Sequence, residues 1–266
     1  MITTDYVPGS PCWIDLGAPD TRAAAAFYGA VLNWELESMG PEAEEYGLFK
    51  ANGKTVAGLG PLTEEGARSA WMIYHLTTDA DAATETVKRL GGTVRVEPMD
   101  AEGAGRLAQF TDPQGAQFAV WQPGNMTGME ETDRPGTLCW TELYTTDGPA
   151  AREFYSTLFG WQYEDMELPG GGGNYTLITP AGLPKERMHG GLMQLPAEHL
   201  TLTGGKPYWH PVFAVADCDA TAVRVTSHGG TLQMGPEDAP GVGRLAVCVD
   251  PAGADFVLLT PEAPAG

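Results

Sequence analysis

A tryptophan followed two residues later by an acid occurs twice in this chain, as Trp13 with Asp15 and as Trp140 with Glu142. Each pair lies on a short apolar stretch that reads as a β-strand, Cys12 to Gly17 and Cys139 to Tyr144, where side chains alternate between faces. Indole and carboxylate therefore share a face. That combination suits stacking on a planar ring together with a charge-assisted bond to a basic group. A carboxylate beside an indole can also act as a general acid or base once burial raises its pKa. The competing reading is plain packing, since indoles are common core residues and a mid-strand acid can face solvent or accept from a backbone donor. Other chemistries lack their signatures. There is no GxSxG elbow, no cysteine in an evidently basic setting, and no glycine-rich segment placed between a strand and a helix to hold a dinucleotide. The run Gly170–Gly173 precedes Asn174-Tyr175, an expected strand, so it reads as a hairpin tip and not as a phosphate cradle.

The pairs recur because the chain repeats itself. PCWIDLGAPDTRAAAAFYGAVLNWELE from Pro11 parallels LCWTELYTTDGPAAREFYSTLFGWQYE from Leu138, and GRLAQFTDPQGAQFAVWQP from Gly105 parallels GRLAVCVDPAGADFVLLTP from Gly243. The polar, Gly/Pro-rich stretch from Gln122 to Thr137 separates the copies, which gives a first domain at 1–123, a linker at 124–137 and a second domain at 138–266. Within the first copy, Asp20 caps a helix over Thr21 to Leu32 with Ala25, Tyr28 and Leu32 on one stripe. Strands at Gly47–Ala51 and Thr55–Leu59 meet at Asn52-Gly53, a hairpin signal. Trp71 to Thr77 is a further strand, and Asp79 or Asp81 caps a helix that stops at Gly91-Gly92. Two strands then flank Asp112-Pro113-Gln114-Gly115, and the second copy follows the same plan around Asp250-Pro251-Ala252-Gly253. The expected modules are βαβββ-like, two per copy.

A length of 266 residues holds two ordinary domains, and a hydrophobic fraction of 42% supplies their cores. The formal net charge of −20 repels polyanions, so neither nucleic acid nor an anionic membrane is an expected partner, while cations and basic small molecules are favoured. No run is apolar enough to span a bilayer, and MITTDYVPGS lacks the basic and apolar regions of a signal peptide. Cys12, Cys139, Cys218 and Cys248 form no CxxC pair and read as small buried hydrophobes of a cytoplasmic protein.

Asp20…Phe27-Tyr28…Asn33-Trp34, Asp147…Phe154-Tyr155…Gly160-Trp161 and the two closing Asp-Pro-x-Gly turns resemble the vicinal oxygen chelate superfamily of glyoxalase I, extradiol dioxygenases and bleomycin-resistance proteins. The doubled form, with Cys-Trp on both first strands, is similar to two-domain glyoxalase-like proteins, among them a mycobacterial secreted antigen and proteins of antibiotic gene clusters. The resemblance implies an α+β fold of tandem glyoxalase-like domains, each a pair of βαβββ modules forming a curved sheet around a cleft. It also implies metal-ligand positions, at the start of each module's first strand and on each closing strand. Those positions fall on Trp13, Trp140, Ala119 and Val257, with Met72 and His210 at the other module starts and no acid near Leu59 or Leu192. One imidazole does not make a metal site, so no metal and no cofactor is expected.

With that frame, the cleft residues are Trp13, Asp15, Tyr74, Gln117 and Trp121 in the first half, and Trp140, Glu142, Tyr144, His210 and Asp255 in the second. His75 falls on the helix-packing side; His189, His199 and His228 lie in loop or helix-end settings; Phe27, Tyr28, Phe154 and Tyr155 are core. The first functional reading is a protein, monomer or homodimer, that binds a small aromatic organic molecule, neutral or basic, of natural-product or drug-like type in a metal-free cleft. The second is a metal-independent enzyme (isomerase, cyclase, lyase or hydroxylase) using Glu142, Asp15 or His210 as acid or base. The third is a metal-dependent dioxygenase or lyase with relocated ligands, such as His210 with Asp255 or Glu142.

Overall fold

The computed structural model describes residues 1–40, 46–62, 68–168 and 173–262. Of the run Gly170–Gly173, the first three residues lie outside them. The first half contributes β1 (Pro11–Ala18), α1 (Thr21–Leu32), β2 (Glu35–Ser38), β3 (Gly47–Ala51), β4 (Lys54–Pro61), β5 (Ala70–Leu76), α2 (Ala80–Arg89), β6 (Thr93–Asp100), β7 (Gly105–Thr111) and β8 (Gln117–Pro123). The second contributes β9 (Leu138–Thr145), α3 (Gly148–Phe159), β10 (Gln162–Glu167), β11 (Asn174–Thr179), β12 (Gly190–Gln194), β13 (Tyr208–Ala214), α4 (Cys218–Ser227), β14 (Thr231–Ala239), β15 (Gly243–Val249) and β16 (Asp255–Pro261). The fold is α+β. The strands form two eight-stranded sheets, ordered β2-β3-β4-β1-β5-β8-β7-β6 and β10-β11-β12-β9-β13-β16-β15-β14. Among the described residues no helix is long and apolar enough to cross a membrane.

Each α-helix of the described residues starts where an aspartate precedes it. The carboxylates of Asp20, Asp79, Asp147 and Asp217 accept from the backbone N–H three residues on, satisfying a donor that the first turn leaves unpaired. Helix α1 ends at Asn33 and α3 at Gly160, both left-handed (φ 59° and 70°). The buried stripe of α1 is Thr21, Ala24, Phe27, Tyr28, Val31 and Leu32, so Ala24 and not Ala25 faces inward: the stripe advances by three and four residues from the Phe-Tyr pair.

Packing divides the chain into two compact units that recombine the modules of the two sequence copies. One comprises Met1–Trp13, Met72–Gly128 and Trp140–Trp209, the other Ile14–Trp71, Met129–Cys139 and His210–Gly266. The repeated motifs explain the core of each. In the first unit Tyr155 of α3 donates to Asp112 of the β7–β8 turn (3.0 Å) and accepts from the Trp209 indole (2.9 Å). In the second, Tyr28 of α1 donates to Asp250 of the β15–β16 turn (3.2 Å) and accepts from Trp71 (3.1 Å). The Phe-Tyr and Asp-Pro-x-Gly signatures are thus two ends of one buried hydrogen-bonded chain. The other oxygens of Asp112 and Asp250 accept turn backbone N–H groups, while burial pushes both carboxyls up from their ordinary range.

Aromatic rings fill the rest of both cores. Phe118, Phe154, Phe159, Trp161 and Trp209 surround Tyr155 and His75 in the first unit. Phe27, Trp34, Phe49, Trp71, Phe213 and Phe256 form the second. Trp161 donates to the Gly9 carbonyl (2.9 Å) and Trp34 to the Gly136 carbonyl (2.7 Å), so the repeated late tryptophans fasten the N-terminal segment in one unit and residues 129–136 in the other. All four cysteines are buried and unbridged.

Candidate functional site

Burial along β9 alternates from Trp140 on: Thr141, Leu143 and Thr145 are buried, whereas Trp140, Glu142 and Tyr144 are half-buried. Leu192 of the neighbouring β12 faces α3, within reach of Gly148. Gly191 and Met193, which pair in register with Glu142 and Tyr144, therefore look the other way, toward the open face. Tyr175 on β11, in register with Met193 and with Met166 of β10, shares that face.

Its phenol crosses β12 at Gly191 and donates to Glu142 Oε1 at 2.6 Å while accepting from Trp140 Nε1 at 2.8 Å. The crossing needs the glycine, because a Cβ there would fall on the phenol oxygen and ring. Burial, then the neighbouring Glu142 carboxylate, hold the Tyr175 phenol well above its ordinary pKa, so it stays a neutral donor. Tyr144 meets Tyr208 edge to face, centroids 5.5 Å apart. One unit thus presents an indole, three phenols and a hydrogen-bonded carboxylate on one wall.

The same device appears in the first half. Tyr46 donates to Asp15 Oδ1 at 2.7 Å across Gly58 of β4, the register partner of Asp15, where a Cβ would meet both groups. Sequence reading missed both tyrosines, which lie 31 and 33 residues from their acids. The signal was present: each stands shortly before or within the strand that pairs with a glycine-bearing strand, in matching places of the repeat.

The other expected residues take varied positions. Trp13 is buried on β1, on the face of Asp15 and Gly17. Tyr74 and Trp121 are buried; the Tyr74 hydroxyl accepts from Gln109 Nε2 (3.2 Å) and the Trp121 indole donates to the Met126 carbonyl (2.9 Å). Gln117 is exposed at the start of β8, where it accepts from Arg95 (3.0 Å). In the second unit His210 and Asp255 are buried as a pair, Nδ1 to Oδ2 3.2 Å, with Arg68 3.5 Å from the other carboxylate oxygen and donating to the Gly253 carbonyl. His75 lies among Phe159, Trp161 and Trp209, and burial lowers its pKa to about 3. His189, also buried against Trp161, is lowered likewise. The His228 ring is bonded to the Arg224 carbonyl at the end of α4.

The metal implied by the fold does not fit these residues. Leu59 and Leu192 sit on helix-facing positions, so the open-face residues there are Gly58 and Gly191. The donor positions then read indole, glycine, thioether and methyl in one half, and indole, glycine, one imidazole and Val257 in the other. Among the described residues no three His, Cys, Asp or Glu side chains converge, whereas a divalent ion takes at least three protein N, O or S donors in such sites.

Comparison with known proteins gives three findings. The Glyoxalase/Bleomycin resistance protein/Dioxygenase superfamily model matches residues 12–120 and 137–258. Anthracycline biosynthesis protein DnrV of Streptomyces peucetius is 38% identical over 272 residues, 96% of this chain and 94% of the relative, and DauV of Streptomyces sp. strain C5 is 37% identical over 271 residues with the same coverage. Among solved structures, the Mn(II)-bound glyoxalase from Novosphingobium aromaticivorans superposes with a TM-score of 0.62 at 19% identity, over 95% of this chain and 83% of that one.

Proposed function

The chain belongs to the glyoxalase/bleomycin resistance protein/dioxygenase superfamily, and from that membership we propose that it binds a small aromatic natural product on the open sheet face, without a metal. The observation that carries the reading is the Trp140–Tyr175–Glu142 cluster. It puts an indole at one position where a metal-using relative would need a donor side chain and the Tyr175 phenol over a second, Gly191, with the Glu142 carboxylate hydrogen-bonded to that phenol. Stacking supplies affinity for a planar ring, and the carboxylate supplies orientation. The names of DnrV and DauV support a polycyclic aromatic compound of the anthracycline type as the ligand class.

The test is a titration of the full chain with polycyclic aromatic compounds, followed by tryptophan fluorescence with and without EDTA. Saturable quenching that EDTA leaves unchanged is expected. Quenching only after addition of a divalent metal, or none across the series, contradicts the reading.

A second reading, acid–base catalysis on an enolisable ketone, is favoured by the buried His210–Asp255 pair. The Asp255 carboxylate lies 3.2 Å from Nδ1 and would orient the imidazole. If it operates, His210→Gln abolishes consumption of a ligand that the wild type turns over, while binding survives.

A further inference from the structure

The two halves share the phenol–carboxylate pair but not the wall around it. Sequence equivalence sets Tyr144 against Gly17, Met193 against Gly60 and Tyr208 against Ala70. In the first half the space over Gly17 is taken by the Leu62 side chain, and the Tyr46 ring lies over Gly60. In the second half those positions carry two phenol rings in edge-to-face contact and a thioether. The indoles differ as well: Trp13 is 2% exposed, whereas Trp140 is half-buried and lies at the wall's surface. Ring surface for a ligand is therefore concentrated on one side of the repeat, in residues 140–208.

The carboxylate at the centre of that wall is Glu142, and its geometry is fixed before any ligand arrives, since Tyr175 holds Oε1 and Trp140 holds Tyr175. A carboxylate so held loses little rotamer freedom on binding, and electron-rich rings beside it favour a cation over a neutral group. The net charge of −20 adds an attractive field of the same sign.

Building on the binding reading above, we infer that the ligand is a cationic polycyclic aromatic and that the second-half wall alone takes it. Its rings lie against Trp140, Tyr144 and Tyr208, and its ammonium pairs with the Glu142 carboxylate that Tyr175 pins. Asp15 with Tyr46 keeps the sheet's architecture without holding ligand.

The experiment compares 9-(aminomethyl)anthracene with neutral 9-(hydroxymethyl)anthracene, by fluorescence anisotropy on the full chain. One equivalent per chain is expected, with the amine binding about tenfold tighter. Glu142→Gln removes that preference, with circular dichroism reporting that the chain is still folded. Tyr175→Phe frees the carboxylate to rotate and reduces the preference severalfold. Tyr144→Gly, which copies the first half, weakens both probes alike. Asp15→Asn changes neither. Two equivalents per chain, equal affinity of amine and alcohol, or a preference lost in Asp15→Asn but kept in Glu142→Gln would overturn the inference while leaving aromatic binding intact. Binding of neither probe would overturn the underlying reading as well.

Discussion

Tyr46 and Tyr175 each reach over a glycine to the acid on the strand beyond, and this pairing makes the glycines the most constrained small residues of the open face. Gly191→Ala is expected to destabilise the protein by about 2 kcal/mol, because the methyl group meets the phenol ring itself. In a Tyr175→Ala background the same substitution should cost far less; equal costs by denaturant unfolding would show that Tyr175 is not what the glycine accommodates. The pH dependence of stability is also a residue-scale matter. His75 is neutral in the fold with a pKa of about 3, below the 6.5 it has when exposed. Between those values the unfolded chain binds a proton that the folded chain does not, so stability falls as pH drops below 6.5. By pH 5 the loss from this group is about 2 kcal/mol, and His75→Phe should remove it. A mutant whose stability falls as steeply from pH 7 to 5 as the wild type's would contradict that assignment. Trp13 with Asp15 and Trp140 with Glu142 were legible in sequence because a strand has a period of two. The tyrosines were not, because nothing local links a residue to an acid two strands away.

At the scale of elements, the four α-helices of the described residues, the interior strands and both Asp-Pro-x-Gly turns were legible, since each has a cap, an apolar run or a turn signature. The edge strands β2, β6, β10 and β14 were not individually readable. Their residues are largely exposed, as in Glu35–Ser38 and Gln162–Glu167, and the alternation that β6 and β14 carry, at Val94 and Val96 and at Leu232 and Met234, is too short to mark a strand by itself. The helices also make contacts that their hydrophobic stripe does not announce. Tyr155→Phe removes the donor to a buried Asp112 oxygen and should cost about 1–3 kcal/mol, more than an exposed cap mutation. Asp147→Ala, which loses only the α3 cap, should cost about 1 kcal/mol. Thermal or denaturant unfolding of the two variants decides the order, and the reverse order would mean that the Tyr–Asp link is weaker than a surface cap.

For the whole molecule, the repeat is visible in sequence, and so is the division of each copy into two modules. What the sequence does not reveal is that the aromatic cores form from the first module with the fourth and the second with the third, because the linking residues read locally, Tyr28 and Tyr155 as helix core and Asp250 and Asp112 as turn residues. A charge of −20 gives the molecule a long-range preference for cations, so affinity for the anthracene amine should fall between 50 and 500 mM salt while that for the alcohol does not. Equal salt dependence would remove electrostatics from the account. The position of the ligand is the most direct test of the central claim. A crystal soaked with 9-(aminomethyl)anthracene should show its rings against Trp140 and Tyr144 with the ammonium hydrogen-bonded to Glu142. Rings seated elsewhere, or a metal ion held by several side chains between protein and ligand, would contradict it.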